Sequence, residues 1–155
     1  MVTLLSFLGI VTVISISLIA GVLLKLISQG EVKQGKLFLN IAQYTSLSLI
    51  VIAFAAYYQS INIYFLTSAA ILSIGGITLR IQGLRDWLNF LFLGALLALS
   101  VLSEQLIVII SSVIFIYGLI TGSLLTLKKS WKKEIILCIT AFCASSIALF
   151  LVFMV

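Results

Sequence analysis

The sequence predicts an all-α polytopic integral membrane protein with six transmembrane helices and both termini outside. Three observations carry this. The chain of 155 residues is 63% hydrophobic and 8% charged, with a mean hydropathy of +1.38, against about 25% charged residues in a soluble domain. Twelve of its thirteen charges fall in three short clusters: Lys25-Glu31-Lys33-Lys36, Arg80-Arg85-Asp86 and Lys128-Lys129-Lys132-Lys133-Glu134, with Glu104 alone elsewhere. The stretches between the clusters are continuous apolar runs near the ~20 residues a spanning helix needs. So few charges cannot cover the outside of a soluble core, so lipid is the expected outer solvent. No stretch is polar enough for a separate soluble domain, and residues 1–155 read as a single transmembrane domain.

The spans follow in order. The first runs from about 2 to 26, and Lys25 at its end can snorkel to the interface. It lacks a basic leader and a small-residue cleavage site, so it reads as a retained span rather than a signal peptide. The others cover about 37–57, 61–79, 87–102 (short), 105–127 and 135–155. Open strands cannot cross a bilayer with unpaired backbone groups, and a barrel would need alternating strands in place of continuous apolar runs. The chain has no proline, which leaves Gly75-Gly76 as the one local weak point, a bend or a close helix crossing.

All nine basic residues fall in the turns after spans one, three and five. By the positive-inside rule that side is cytoplasmic, in a cell membrane. Trp87 and Trp131 mark its edge, and Tyr57, Tyr58 and Tyr64 mark the other. The net charge of +5 is thereby assigned to orientation, not to nucleic acid. The spans also form three hairpins, each with a basic turn holding one acid: Glu31, Asp86 and Glu134.

Candidate chemistry is sparse. Pumps place ionisable groups near the membrane centre, and here every charge lies near a span end. There is no His, no Ser/His/Asp set and no phosphate loop, so no catalytic, cofactor-binding or metal-ligating residue is assigned and no cofactor is expected. Cys138 and Cys143 read as small hydrophobes. Span two is the most polar, with Asn40, Gln43, Thr45, Ser46 and Ser48. Asn40 and Gln43 share a face and are candidates for a polar path or a quinone-like headgroup site, against plain interhelical bonding. Small residues four apart occur at Ser17/Gly21, Ala42/Ser46, Ala69/Ser73, Gly94/Ala98, Gly118/Gly122 and Ala141/Ser145. Of these, Gly118 and Gly122 are the expected close helix contact, within the chain or against a partner. Lys128, Lys129, Trp131, Lys132 and Lys133 form a cytoplasmic anchor that could also dock anionic headgroups or an acidic partner.

Phe115-Ile-Tyr-Gly118-Leu, the Lys128-Lys129 turn, and Cys143-Ala-Ser-Ser-Ile-Ala-Leu-Phe150 together resemble a hairpin in small membrane subunits of energy-converting complexes. That hairpin occurs in the K-type subunit of complex I and in component E of membrane-bound hydrogenases. Gln43 ahead of a long apolar run, and the next span ending at Arg80, are similar to component E. The chain departs from both where function would lie. The complex I subunit carries a carboxylate in the helix after its basic turn, and the stretch around Ile139 has none. Component E has a Lys-and-Pro stretch where this chain reads Gly75-Gly76-Ile77-Thr78. The resemblance therefore implies a structural subunit rather than a proton conductor, and it transfers no catalytic residue. The expected function is a non-catalytic subunit of a larger membrane complex. The alternative is a small oligomeric transporter or channel for a neutral or weakly polar solute. The expected partners are the bilayer and other membrane subunits or further copies of the chain.

Overall fold

The computed structural model describes residues 3–57, 86–127 and 130–154. The expected third span, Gly75, Gly76, Lys128 and Lys129 lie outside the described residues. The described chain is all-helical: α1 Leu4–Ile27, α2 Gln29–Gln34, α3 Lys36–Tyr57, α4 Asp86–Ser100, α5 Glu104–Leu125 and α6 Trp131–Met154. Four of these, α1, α3, α5 and α6, are long and apolar enough to cross a membrane, and α4 is a shorter apolar helix. With the composition, they mark a membrane protein.

Local chemistry sets the helix ends. Thr3 caps α1, its Oγ1 accepting the Ser6 N–H at 3.3 Å. The helix stops at Ser28, whose N–H and hydroxyl both reach the Leu24 carbonyl. Lys25 lies in the last turn, where a cation complements the helix dipole. The six-residue α2 was not expected; it sits in the basic turn and ends at Gly35. Ser103 caps α5 by accepting the Leu106 N–H at 3.4 Å. α6 begins at Trp131 rather than the expected Ile135, so Lys132, Lys133 and Glu134 form its first turn. Hydropathy cannot detect a helical turn that lies outside the apolar run.

The packing units are two pairs of helices far apart in sequence. α1 and α5 run in the same direction: Ser17 meets Gly118, and one turn on Gly21 meets Gly122. A Cβ at Gly21 would overlap the Leu119 carbonyl, and one at Gly122 would overlap the Leu18 carbonyl. Ser123 Oγ ties the pair by donating to the Gly21 carbonyl at 2.9 Å. α4 and α6 also run in the same direction. Phe90 meets Phe142 edge-on at 6.4 Å, and one turn on Gly94 abuts Ser145, Ser146 and the Phe142 carbonyl.

The pairs are opposed to one another. Phe7 stacks on Phe150 at 4.2 Å, and Ser15 lies 3.5 Å from Cys143, so α1 and α6 are antiparallel. α4 returns into α5 through Val101–Ser103, and Phe90 packs on Tyr117 at 5.5 Å. α1 ends level with the end of α5, and α3 begins only nine residues after Ile27; with Gln43, early in α3, meeting Thr121, late in α5, α3 runs back antiparallel to α5. α1 and α5 therefore run one way, and α3, α4 and α6 run the other. Phe7, Phe90, Tyr117, Phe142 and Phe150 are the largest buried side chains where the pairs meet. Among the described residues, the last hairpin of the sequence is not a unit of packing: α6 lies mainly on α4 and barely touches α5, its neighbour in the chain.

Candidate functional site

Most of the polar residues expected to line span two turn back on their own helix. Thr45 donates to the Ile41 carbonyl at 2.9 Å, Ser46 to Ala42 at 2.8 Å and Ser48 to Tyr44 at 3.1 Å. Each hydroxyl is thereby satisfied one turn back and presents no free donor. Gln43 behaves differently. It is 0% exposed, and its Nε2 donates to Thr121 Oγ1 at 2.5 Å across the α3–α5 contact. Its Oε1 is buried with no hydrogen-bond partner. Asn40, one turn earlier, is only half-buried, so the two expected residues share a face but not an environment.

Tyr117 and Thr121 are four apart on α5 and share a face. Asn89 of α4 donates its Nδ2 to the Tyr117 hydroxyl at 3.3 Å. Two polar contacts, Gln43 with Thr121 and the part-buried Asn89 with Tyr117, thus lie along one face of α5 and make a polar seam joining α3, α5 and α4. Of these four, only Gln43 stands out in the sequence. Thr121 lies between Gly118 and Gly122, and Asn89 two residues after Trp87, so composition alone gave no reason to join them. None of the four ionises in the ordinary range, so the seam can orient and hydrogen-bond but holds no charge to relay.

Gly118 and Gly122 form their contact within the chain, against α1. Ser17/Gly21 supplies the other half, and Gly94 and Ser145 also sit at an interface, although of the small-residue pairs four apart only Gly118/Gly122 was expected to. Toward the α1 N-terminus the pair opens into a groove of about 470 Å³ between Gly9, Ile10, Val13, Ile14 and Ser111, Ser112, Phe115, Ile116. Nothing lies within 4 Å of where a Gly9 Cβ would be. Ser111 and Ser112 both donate to the Val108 carbonyl, at 3.0 and 2.8 Å, so the groove is apolar in effect.

At the opposite end, Trp131 is half-buried against the core, and Lys132 Nζ lies 5.6 Å from its ring centroid. Glu134 has one carboxylate oxygen buried without a partner. Cys138 is buried, and Cys143 is half-buried beside Ser15. Among the described residues, no three His, Cys, Asp or Glu side chains gather as metal ligands would.

Comparison with protein-family models gives no match, and comparisons with curated proteins and with solved structures give no significant match either. The fold class is that of an all-helical membrane bundle, and its function has to be argued from its own geometry.

Proposed function

We propose that the chain is a non-catalytic integral subunit of a larger membrane complex. In this reading it crosses the cell membrane six times, with both termini outside and the basic turns in the cytoplasm. Helix direction supports the crossing number. α3 and α4 run the same way, so Tyr57 and Asp86 lie at opposite ends of the bundle. The positive-inside rule supports the orientation.

The observation that carries the subunit reading is the α1–α5 groove. Its walls are Gly9, two self-bonded serines and apolar side chains. Small residues that let helix backbones approach closely are the usual basis of association in lipid, and this groove offers such a seat on the outside of a glycine-locked pair. It suits a helix of a partner subunit. Gly21, Gly94, Gly118 and Gly122 each sit directly against a neighbouring helix. The likeness of spans five and six to subunits of energy-converting complexes makes that the class of assembly we favour. Mild solubilisation and native mass analysis test this reading. A particle holding further, different chains is expected; a monodisperse particle of this chain alone would refute it.

A second reading rests on Gln43. A buried acceptor without a donor is a group a neutral or weakly polar solute could satisfy, as in a small oligomeric transporter or channel. Flux into liposomes holding only this protein, lost in Gln43→Leu, would favour it. Absence of flux would remove it.

A further inference from the structure

The helix registers bring cations from three segments to one level. Phe7 pairs with Phe150 and Ser15 with Cys143, and continuing that antiparallel register sets Lys25 level with Lys133. Ser17 with Gly118 and Gly21 with Gly122 set Lys25 level with Thr126, and Gln43 with Thr121 sets Lys36 level with the residues just past α5. Lys25, Lys36, Lys132 and Lys133 thus ring one end of the bundle. Lys36, Lys132 and Lys133 are exposed and Lys25 half-buried. Among the described residues, none of these four forms an ion pair. The acid in the same helical turn does not neutralise them, because Glu134 turns one carboxylate oxygen inward to a buried position without a partner.

We propose that this ring, centred on Trp131, Lys132 and Lys133, is a docking surface for anionic phospholipid headgroups. It rests on the membrane reading above. Charge complementarity selects an anion. Depth selects a lipid over a soluble acidic protein. The cations sit at the helix ends themselves, and the α5–α6 connection is only Thr126–Ser130, too short to project them into the aqueous phase. Trp131 is half-buried against the bundle with the Lys132 ammonium over its ring, which is the placement an indole takes at headgroup level. Basic residues at such a surface each contribute about a fivefold preference for anionic lipid (~1 kcal/mol).

Trp131 supplies the reporter. The full chain carrying Trp87→Phe is reconstituted in phosphatidylcholine vesicles with a small share of phosphatidylglycerol or phosphatidylcholine spin-labelled near the headgroup. Labelled phosphatidylglycerol is expected to quench Trp131 more strongly. The preference should fall about fivefold for each of Lys132→Gln and Lys133→Gln, and it should shrink in high salt. Native mass analysis of the unaltered protein should show retained phosphatidylglycerol in excess over phosphatidylcholine, which covers the case where Trp87→Phe disturbs the fold. Equal quenching and equal retention of the two lipids would overturn the proposal and leave the ring to an acidic soluble partner. Quenching by neither lipid would overturn the membrane reading with it.

Discussion

Four glycines in α1 and α5 have different surroundings, and a Gly→Ala series should rank accordingly. Alanine gains about 1 kcal/mol over glycine in a helix interior. At Gly9 nothing opposes that gain, because no atom lies within 4 Å of the new Cβ. Gly9→Ala should therefore stabilise by up to about 1 kcal/mol. At Gly118 the new methyl meets Ser17 Oγ, a side-chain atom that can rotate away. Doing so gives up the bond from Ser17 Oγ to the Ile14 carbonyl (2.6 Å), about 0.6 kcal/mol in a membrane bundle. The net change is expected near zero. At Gly122 and Gly21 the methyl meets the Leu18 and Leu119 carbonyls, backbone atoms that move only if the helices part. Overpacking of this kind costs about 1–3 kcal/mol. The Ser123 bond to Gly21, at 2.9 Å, goes with it, about 0.6 kcal/mol more. After the alanine gain, Gly122→Ala should destabilise by about 0.6–2.6 kcal/mol. Reversible unfolding in mixed micelles, followed by far-ultraviolet circular dichroism, measures the order Gly9 above Gly118 above Gly122. If Gly122→Ala and Gly9→Ala shift stability the same way, the glycine-locked α1–α5 crossing is wrong.

Two further outcomes test the core. Thr121→Val strips Gln43 of the partner it has while leaving the amide fully buried, and should cost about 1–3 kcal/mol. Gln43→Leu on its own removes an amide that is already half-unsatisfied and should shift stability by under about 1 kcal/mol. The double variant should match Gln43→Leu, and purely additive unfolding energies would show that the pair is not coupled. Phe90→Ala, at the junction of α4, α5 and α6, should cost about 3–5 kcal/mol, whereas Phe38→Ala, 73% exposed, should stay within about 0.5 kcal/mol.

Element existence was legible because a bilayer imposes one length scale. α1, α3, α4, α5 and α6 begin and end within a few residues of five of the six apolar stretches. Helix ends were less so: the turn from Trp131 to Glu134 is helical although its charges lie outside the apolar run. Helix pairing was the least legible. Span polarity pointed to Asn40, Thr45, Ser46 and Ser48 beside Gln43, but a hydroxyl that can bond one turn back carries no information about a neighbour. Only Gln43 is long enough, and lacks that local option, to reach across to Thr121. Gly118/Gly122 was readable as a contact, but its partner was not. Six small-residue pairs compete in the sequence, and nothing local says that Ser17/Gly21 is the one that fits Gly118/Gly122.

That limit has a physical origin in the topology. Both tight pairs, α1 with α5 and α4 with α6, are parallel. Parallel neighbours cannot be joined by a short turn, so their partners necessarily lie far along the chain. Gly21 must find Gly122, and Ser123 must find the Gly21 carbonyl, across about a hundred residues. In lipid no hydrophobic force draws helices together in advance, so close packing and hydrogen bonds have to choose the partner. The glycines supply shape selectivity, because a Cβ at either crossing strikes backbone rather than side chain. Ser123 adds a polar bond to the crossing, in an orientation a displaced helix would break. The same features explain why the interior lacks room for a charged path at this crossing. Backbones in near contact at Gly21 and Gly122 leave no space for a hydrated ion, whereas the groove toward Gly9 opens outward to the surface α1 and α5 share. On the subunit reading proposed above, close packing at this crossing would keep the pair rigid while the apolar groove outside receives a neighbouring helix.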